Sequence, residues 1–76
     1  MSDPPSLLSR PEGLIGKVTG RVGPDTIGEV AIHIRGGLES FYAKPVDGRE
    51  KIAVGEQALV IEYVPPRTVF VTRWDR

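Results

Sequence analysis

A chain of 76 residues supports one domain with a thin core, because a domain of this size buries only about 60% of its unfolded surface. Ten basic residues balance ten acidic ones and cysteine is absent, which excludes a disulfide framework, a thiolate zinc site and a net field steering the chain to nucleic acid or anionic lipid, though a local patch stays open. No apolar run approaches the roughly 20 residues of a membrane span and no basic-then-apolar leader opens the chain, so a soluble domain is expected, placed in the cytoplasm or at the membrane as part of a longer membrane protein.

Residues 1–12 are rich in proline, serine and charge, with Leu7 and Leu8 the apolar pair after Met1. Pro4, Pro5 and Pro11 lack an N–H donor and disfavour helix before them. This stretch is expected to be a disordered leader or linker, with a short helical turn at Ser6 to Arg10 as the alternative, and the domain proper is expected over residues 13–74.

Leu14 to Val22 predicts the first strand, with Val18 and Val22 on one face and Lys17, Thr19 and Arg21 on the other. Gly16 and Gly20 lie on the Val18 face, where glycine marks a bend or a close backbone approach. A side chain at Gly20 is expected to meet the opposite wall. Gly23-Pro24-Asp25 is a turn by composition. Thr26 to Arg35 predicts the second strand: Val30, Ile32 and Ile34 alternate with Glu29, Ala31, His33 and Arg35, and Gly36-Gly37 predicts a tight hairpin after it. Leu38 to Lys44 predicts the third, with Phe41 and Ala43 inward and Tyr42 outward, ended or edged by Pro45.

After a polar Asp47-Gly48 loop, Ile52 to Glu56 reads as a cover segment with Ile52 and Val54 apolar and Gly55 redirecting the chain. Gln57 to Val64 is almost continuously apolar; its length, β-branched content and the following Pro65-Pro66 favour a strand covered on both faces over a helix. Thr68 to Trp74 predicts the last strand, with Val69 and Val71 inward. The fold class is all-β, a small five-stranded OB-like barrel, an economical answer for a chain without staples because it leaves few free edges.

The ordered residues carry a further pattern. Leu14-Ile15-Gly16-Lys17-Val18, Gly20 and Val22 are followed by Gly28, Val30 and Ile32; then come Gly36-Gly37, Glu39, Phe41 and Ala43; then Ile52 and Gly55, Val60-Ile61-Glu62-Tyr63, Val69 and Val71. Over residues 14 to 73 this resembles the soluble C-terminal domain of NfeD-like membrane proteins. The resemblance implies an OB-fold barrel placed after transmembrane helices and working with flotillin- or stomatin-type membrane scaffolds; some long relatives also carry a serine protease domain. Neither helices nor protease stand in this sequence, so an excised or stand-alone domain is expected, and Ala58 and Tyr63 occupy places where aliphatic β-branched residues are usual.

No reaction follows from the residues. His33 stands alone, with no second histidine or cysteine to complete a metal set. Asp25, Asp47 and Glu50 lack calcium-loop spacing, and Ser9 and Ser40 lack a nucleophile elbow. No enzyme activity, cofactor or metal is expected. Phe70, Arg73 and Trp74 have the composition of a protein interface, with Trp74 as a lid over the barrel end as the structural alternative. Tyr42 and Arg35 extend the candidate surface. The expected function is a protein-interaction module that docks on a scaffold partner or on a second copy. The rival is single-stranded nucleic-acid binding on the second and third strands, using Tyr42, Phe41, Arg35 and Lys44 with Lys17 and Arg21 nearby; a plain structural spacer is the third reading.

Overall fold

A computed structural model describes residues 10–75. The expected leader therefore lies, for its first nine residues, outside the described residues. Pro11 is fully buried, and Gly13 N–H donates to the Val60 carbonyl at 2.9 Å.

Five strands form: β1 (Ile15–Gly20), β2 (Gly28–Ile34), β3 (Gly37–Pro45), β4 (Gln57–Val64) and β5 (Thr68–Arg73). They close into a barrel in the order β1-β2-β3-β5-β4, with β4 paired back onto β1. All described pairings are antiparallel except β3 with β5, which is parallel and sets Lys44 beside Phe70. This is the OB-like barrel that alternation and turn chemistry predict.

The inward alternation of each strand supplies the core: Val18, Val30, Ile32, Ile34, Phe41, Ala43, Ala58, Val60, Val69 and Val71 are all buried, joined by Val22 and Ile52. His33 is exposed while Ile32 is buried, so the second strand has the predicted register. No polar or charged side chain is buried among the described residues. Apolar transfer, at about 1.5–3 kcal/mol for each fully buried Val, Ile or Phe, is the main stabilising contribution.

Four local expectations need correction. The hairpin turns on Arg35-Gly36, not Gly36-Gly37: both take left-handed φ, 55° and 77°, and Gly37 already pairs with Ile34. A two-residue loop with positive φ at both positions matches the twist of the flanking strands, which is why the register settles one residue early. Second, the close approach sits at Gly16, not Gly20. A Cβ on Gly16 would lie 2.6 Å from the Ala31 carbonyl oxygen, whereas one on Gly20 would meet Glu29 at 3.1 Å. A bulge between Val18 and Gly20 turns the latter away from the interior.

Third, only Ile52 covers the barrel. It is fully buried and exchanges two 3.0 Å backbone hydrogen bonds with Val22, while Val54 is exposed and Gly55, at φ 96°, redirects the chain. Fourth, β4 is not covered on both faces. Its register shifts between Val60 and Glu62, so Ile61 is an extra residue and both Ile61 and Glu62 face outward. The shift brings Tyr63 edge-on to Phe41, with centroids 6.2 Å apart and planes at 89°, and the Tyr63 hydroxyl donates to the Pro66 carbonyl at 3.0 Å.

Candidate functional site

Outward residues of β3, β5 and β4 form rows fixed by the ladder. Tyr42 lies beside Thr68, which lies beside Val64; in the next row Lys44 lies beside Phe70, which lies beside Glu62. Tyr42 is 59% and Val64 42% exposed. Phe70 points outward, as alternation requires, but is half-buried. It lines an open cleft of about 390 Å³ with the Pro24–Ile27 turn, Lys44 and Pro45, and these flanking groups take part of the ring out of water.

Arg73 is not beside Phe70 on this face. Its guanidinium reaches the strap after β3: Nη2 donates to the Lys51 carbonyl at 2.6 Å, Nε lies 3.4 Å from Glu56 Oε1, and Nη1 lies 3.9 Å from Glu50 Oε2. The Thr72 hydroxyl and the Arg73 N–H both donate to Glu50 Oε1, at 2.9 and 3.1 Å. Two carboxylates and a carbonyl thus hold the strap that carries Ile52 against β5, which is a structural role. Trp74 is half-buried, and its N–H donates to the Gln57 carbonyl at 3.0 Å, continuing the β5–β4 ladder at the barrel end.

Arg35 occupies the hairpin tip, where its Nη2 meets both oxygens of Glu39 at 2.8 and 2.7 Å. Arg67 also reaches Glu39, at 3.4 Å, and its Cζ stands 5.1 Å from the Phe41 ring centroid. The expected surface residues therefore fall into three places: Tyr42 and Phe70 on one face, Arg35 at the hairpin tip, and Arg73 with Trp74 at the strap end. Lys44, Glu62, Val64 and Thr68 complete the Phe70 face. The parallel β3–β5 pairing that brings them together has no local signature in the sequence.

Two carboxyls sit below their ordinary range. Asp47 is lowered by the N–H groups of Arg49 and Glu50, at 2.8 and 2.9 Å, which favour its charged form. Glu12 is lowered chiefly by its hydrogen bond from Arg10, at 3.0 Å. Asp47 is an exposed turn former and Glu12 a half-buried member of a surface pair. Among the described residues no group of three or more His, Cys, Asp or Glu could hold a metal ion. No helix among them is long and apolar enough to cross a membrane.

The soluble domain of the NfeD protein YuaF from Bacillus subtilis is 34% identical, with a TM-score of 0.66 over 80% of this chain and 70% of its own. The C-terminal domain of a stomatin operon partner protein from Pyrococcus horikoshii is 30% identical, with a TM-score of 0.62 over 87% of this chain and 91% of its own. No curated protein matches. The NfeD C-terminal domain family matches residues 15–72, from the first residue of β1 to the last outward residue of β5. With all five strands inside that match save Arg73, the last residue of β5, and the strand order and core just described, the chain belongs to the NfeD C-terminal domain family.

Proposed function

We propose that this domain is a non-enzymatic protein-interaction module, carried by a longer membrane protein and working beside a stomatin- or flotillin-type membrane scaffold. The observation that carries the reading is the outer face of β3, β5 and β4, where Tyr42, Val64 and Phe70 stand together while the interior is already filled by aliphatic residues. Apolar side chains grouped on a small barrel's surface contribute nothing to its core and mark a contact site. The naming of one relative as a stomatin operon partner supports the class of scaffold.

The oligonucleotide reading finds less support. Phe41 is core, Arg35 is neutralised by Glu39, and Tyr42 pairs across the ladder with Glu29, which sets a carboxylate beside the Tyr42 ring.

Phe70→Ser tests the proposal. Because the ring is half-buried, its loss should cost about 1 kcal/mol, part of the 1.5–3 kcal/mol of a fully buried side chain. The variant should still melt cooperatively yet lose capture by a stomatin-type scaffold reconstituted in vesicles. Unchanged capture would reject this face. Micromolar binding of single-stranded DNA or RNA that falls steeply with salt and is lost in Tyr42→Ala would favour the rival.

A further inference from the structure

We infer that the occupant of the Phe70 face is a second copy of this chain, related by a two-fold axis running along β5. The inference rests on the reading of this face as a protein contact and names what covers it. The ladder places Lys44 on one flank of Phe70 and Glu62 on the other. Strands lie about 4.8 Å apart, so these two charges stand roughly 10 Å from each other with an aromatic ring between them. Neither belongs to any ion pair among the described residues, whose pairs involve Arg10, Arg35, Arg67 and Arg73.

A two-fold contact repeats one patch against itself, so residue i meets j and j meets i. With the Phe70 ring on the axis, two directions in the plane of this contact follow the sheet, one across the strands and one along β5. An axis across the strands would set Lys44 against its own copy and Glu62 against its own, a repulsive match. An axis along β5 exchanges the flanks: Lys44 of each copy meets Glu62 of the other, and Phe70 stacks near the centre on its mate. The neighbouring row obeys the same operation, since Tyr42 and Val64 flank Thr68 as Lys44 and Glu62 flank Phe70. Tyr42 of each copy then covers Val64 of the other, and the two threonines face each other. Both rows thus match under one operator, apolar on apolar and cation on anion. A contact built from six side chains on each partner falls short of the 20–30 residues of a standard interface, so the pair is weak in solution and is strengthened where copies are concentrated in one plane.

The experiment is a charge exchange read by sedimentation equilibrium from about 10⁻⁶ to 10⁻³ M protein, with melts confirming that each variant folds. Wild type should self-associate, more weakly as salt rises through the range that screens surface charges. Lys44→Glu alone and Glu62→Lys alone should each weaken self-association at least about tenfold, because each sets like charges opposite one another at two places. An equimolar mixture of these two single variants should associate again, at least as tightly as wild type, because every facing pair is then opposite in sign. The double variant Lys44→Glu/Glu62→Lys should return to within a few-fold of wild type. A wild type that stays monomeric throughout, or a mixture that associates no better than either variant alone, overturns the inference. If in that case Phe70→Ser still abolishes scaffold capture, the face is a docking site for a different protein and the proposed function stands without the pair.

Discussion

Gly16 is, with Gly28, one of the two positions where the barrel leaves least room, and replacing it with alanine isolates the effect of one methyl group. A Cβ there would lie 2.6 Å from the Ala31 carbonyl oxygen, 2.7 Å from Val30 Cγ2 and 2.8 Å from Ile32 Cγ1. Carbon atoms in contact prefer about 3.5–4.0 Å, so the methyl overlaps three atoms of the adjoining strand, one of them backbone held in the sheet. Overpacking costs about 1–3 kcal/mol, and the rigid partner puts Gly16→Ala near the top of that range. The φ of Gly16 is open to alanine, so restriction of the unfolded chain returns about 0.4–1 kcal/mol. The net loss is about 2 kcal/mol, against a total of about 4–11 kcal/mol for a chain this long.

At 4–8 °C per kcal/mol for a domain of 60–100 residues, the melting temperature should fall by about 8–16 °C. Gly20→Ala is the control. Its methyl would meet Glu29 Cβ at 3.1 Å and Glu29 N at 3.2 Å, a mismatch of a few tenths of an ångström at a bulge. The unfolded-state gain offsets most of it, and the shift should stay within about 4 °C. Calorimetric melts of both variants decide the matter. A Gly16→Ala protein melting within about 3 °C of wild type, or a Gly20→Ala protein melting below the Gly16→Ala protein, would refute the assignment of the tight approach to Gly16 over Gly20.

Ile32→Ala removes a fully buried side chain at the centre of β2 and should cost about 2–5 kcal/mol in urea unfolding, enough to leave the domain barely folded; a smaller loss would mean the core collapses around the gap. Asp47→Ala should be destabilising near neutral pH and neutral in strong acid. The folded-state carboxyl is held below its ordinary value, so its contribution is full above about pH 4 and disappears as pH falls through the lower folded value. Melts of both proteins across that range should converge as the pH is lowered; parallel curves would show that the Asp47 hydrogen bonds are not the source.

The strands were legible because most have one wet face and one dry face. Val30, Ile32 and Ile34 cannot be shifted by one residue without exposing all three, so composition and register agree. What stayed hidden was set by pairing between distant segments. The run Ala58 to Ile61 reads as buried throughout, yet a bulge against β5 turns Ile61 outward. Arg73 carries the chemistry of an interface residue, but Glu50 and Glu56 of the strap claim it, and neither carboxylate is near it in sequence. Of the candidate surface, Tyr42 and Phe70 could be oriented by alternation alone; that they share a face follows from β3 and β5 running parallel.

The closing seam of the barrel has a consequence for how the chain is made. Ile15 pairs with Leu59 and Lys17 with Gln57, so β1 finds its second neighbour 40 to 44 residues downstream. Sheets built on such distant pairings fold on the millisecond-to-second scale. On the ribosome the three-stranded meander is complete once Pro45 emerges. At 5–20 residues per second, the stretch from there to Arg73 takes roughly another 1–6 s to synthesise. During that interval one side of β1 and one side of β3 present unpaired N–H and C=O groups, and the interior aliphatic residues have no lid. Nascent chains crowded on one messenger could pair with each other there. The most hazardous moment for this domain is therefore its own translation, and a slow codon stretch between Pro45 and Gln57 should lower its soluble yield without altering the finished fold.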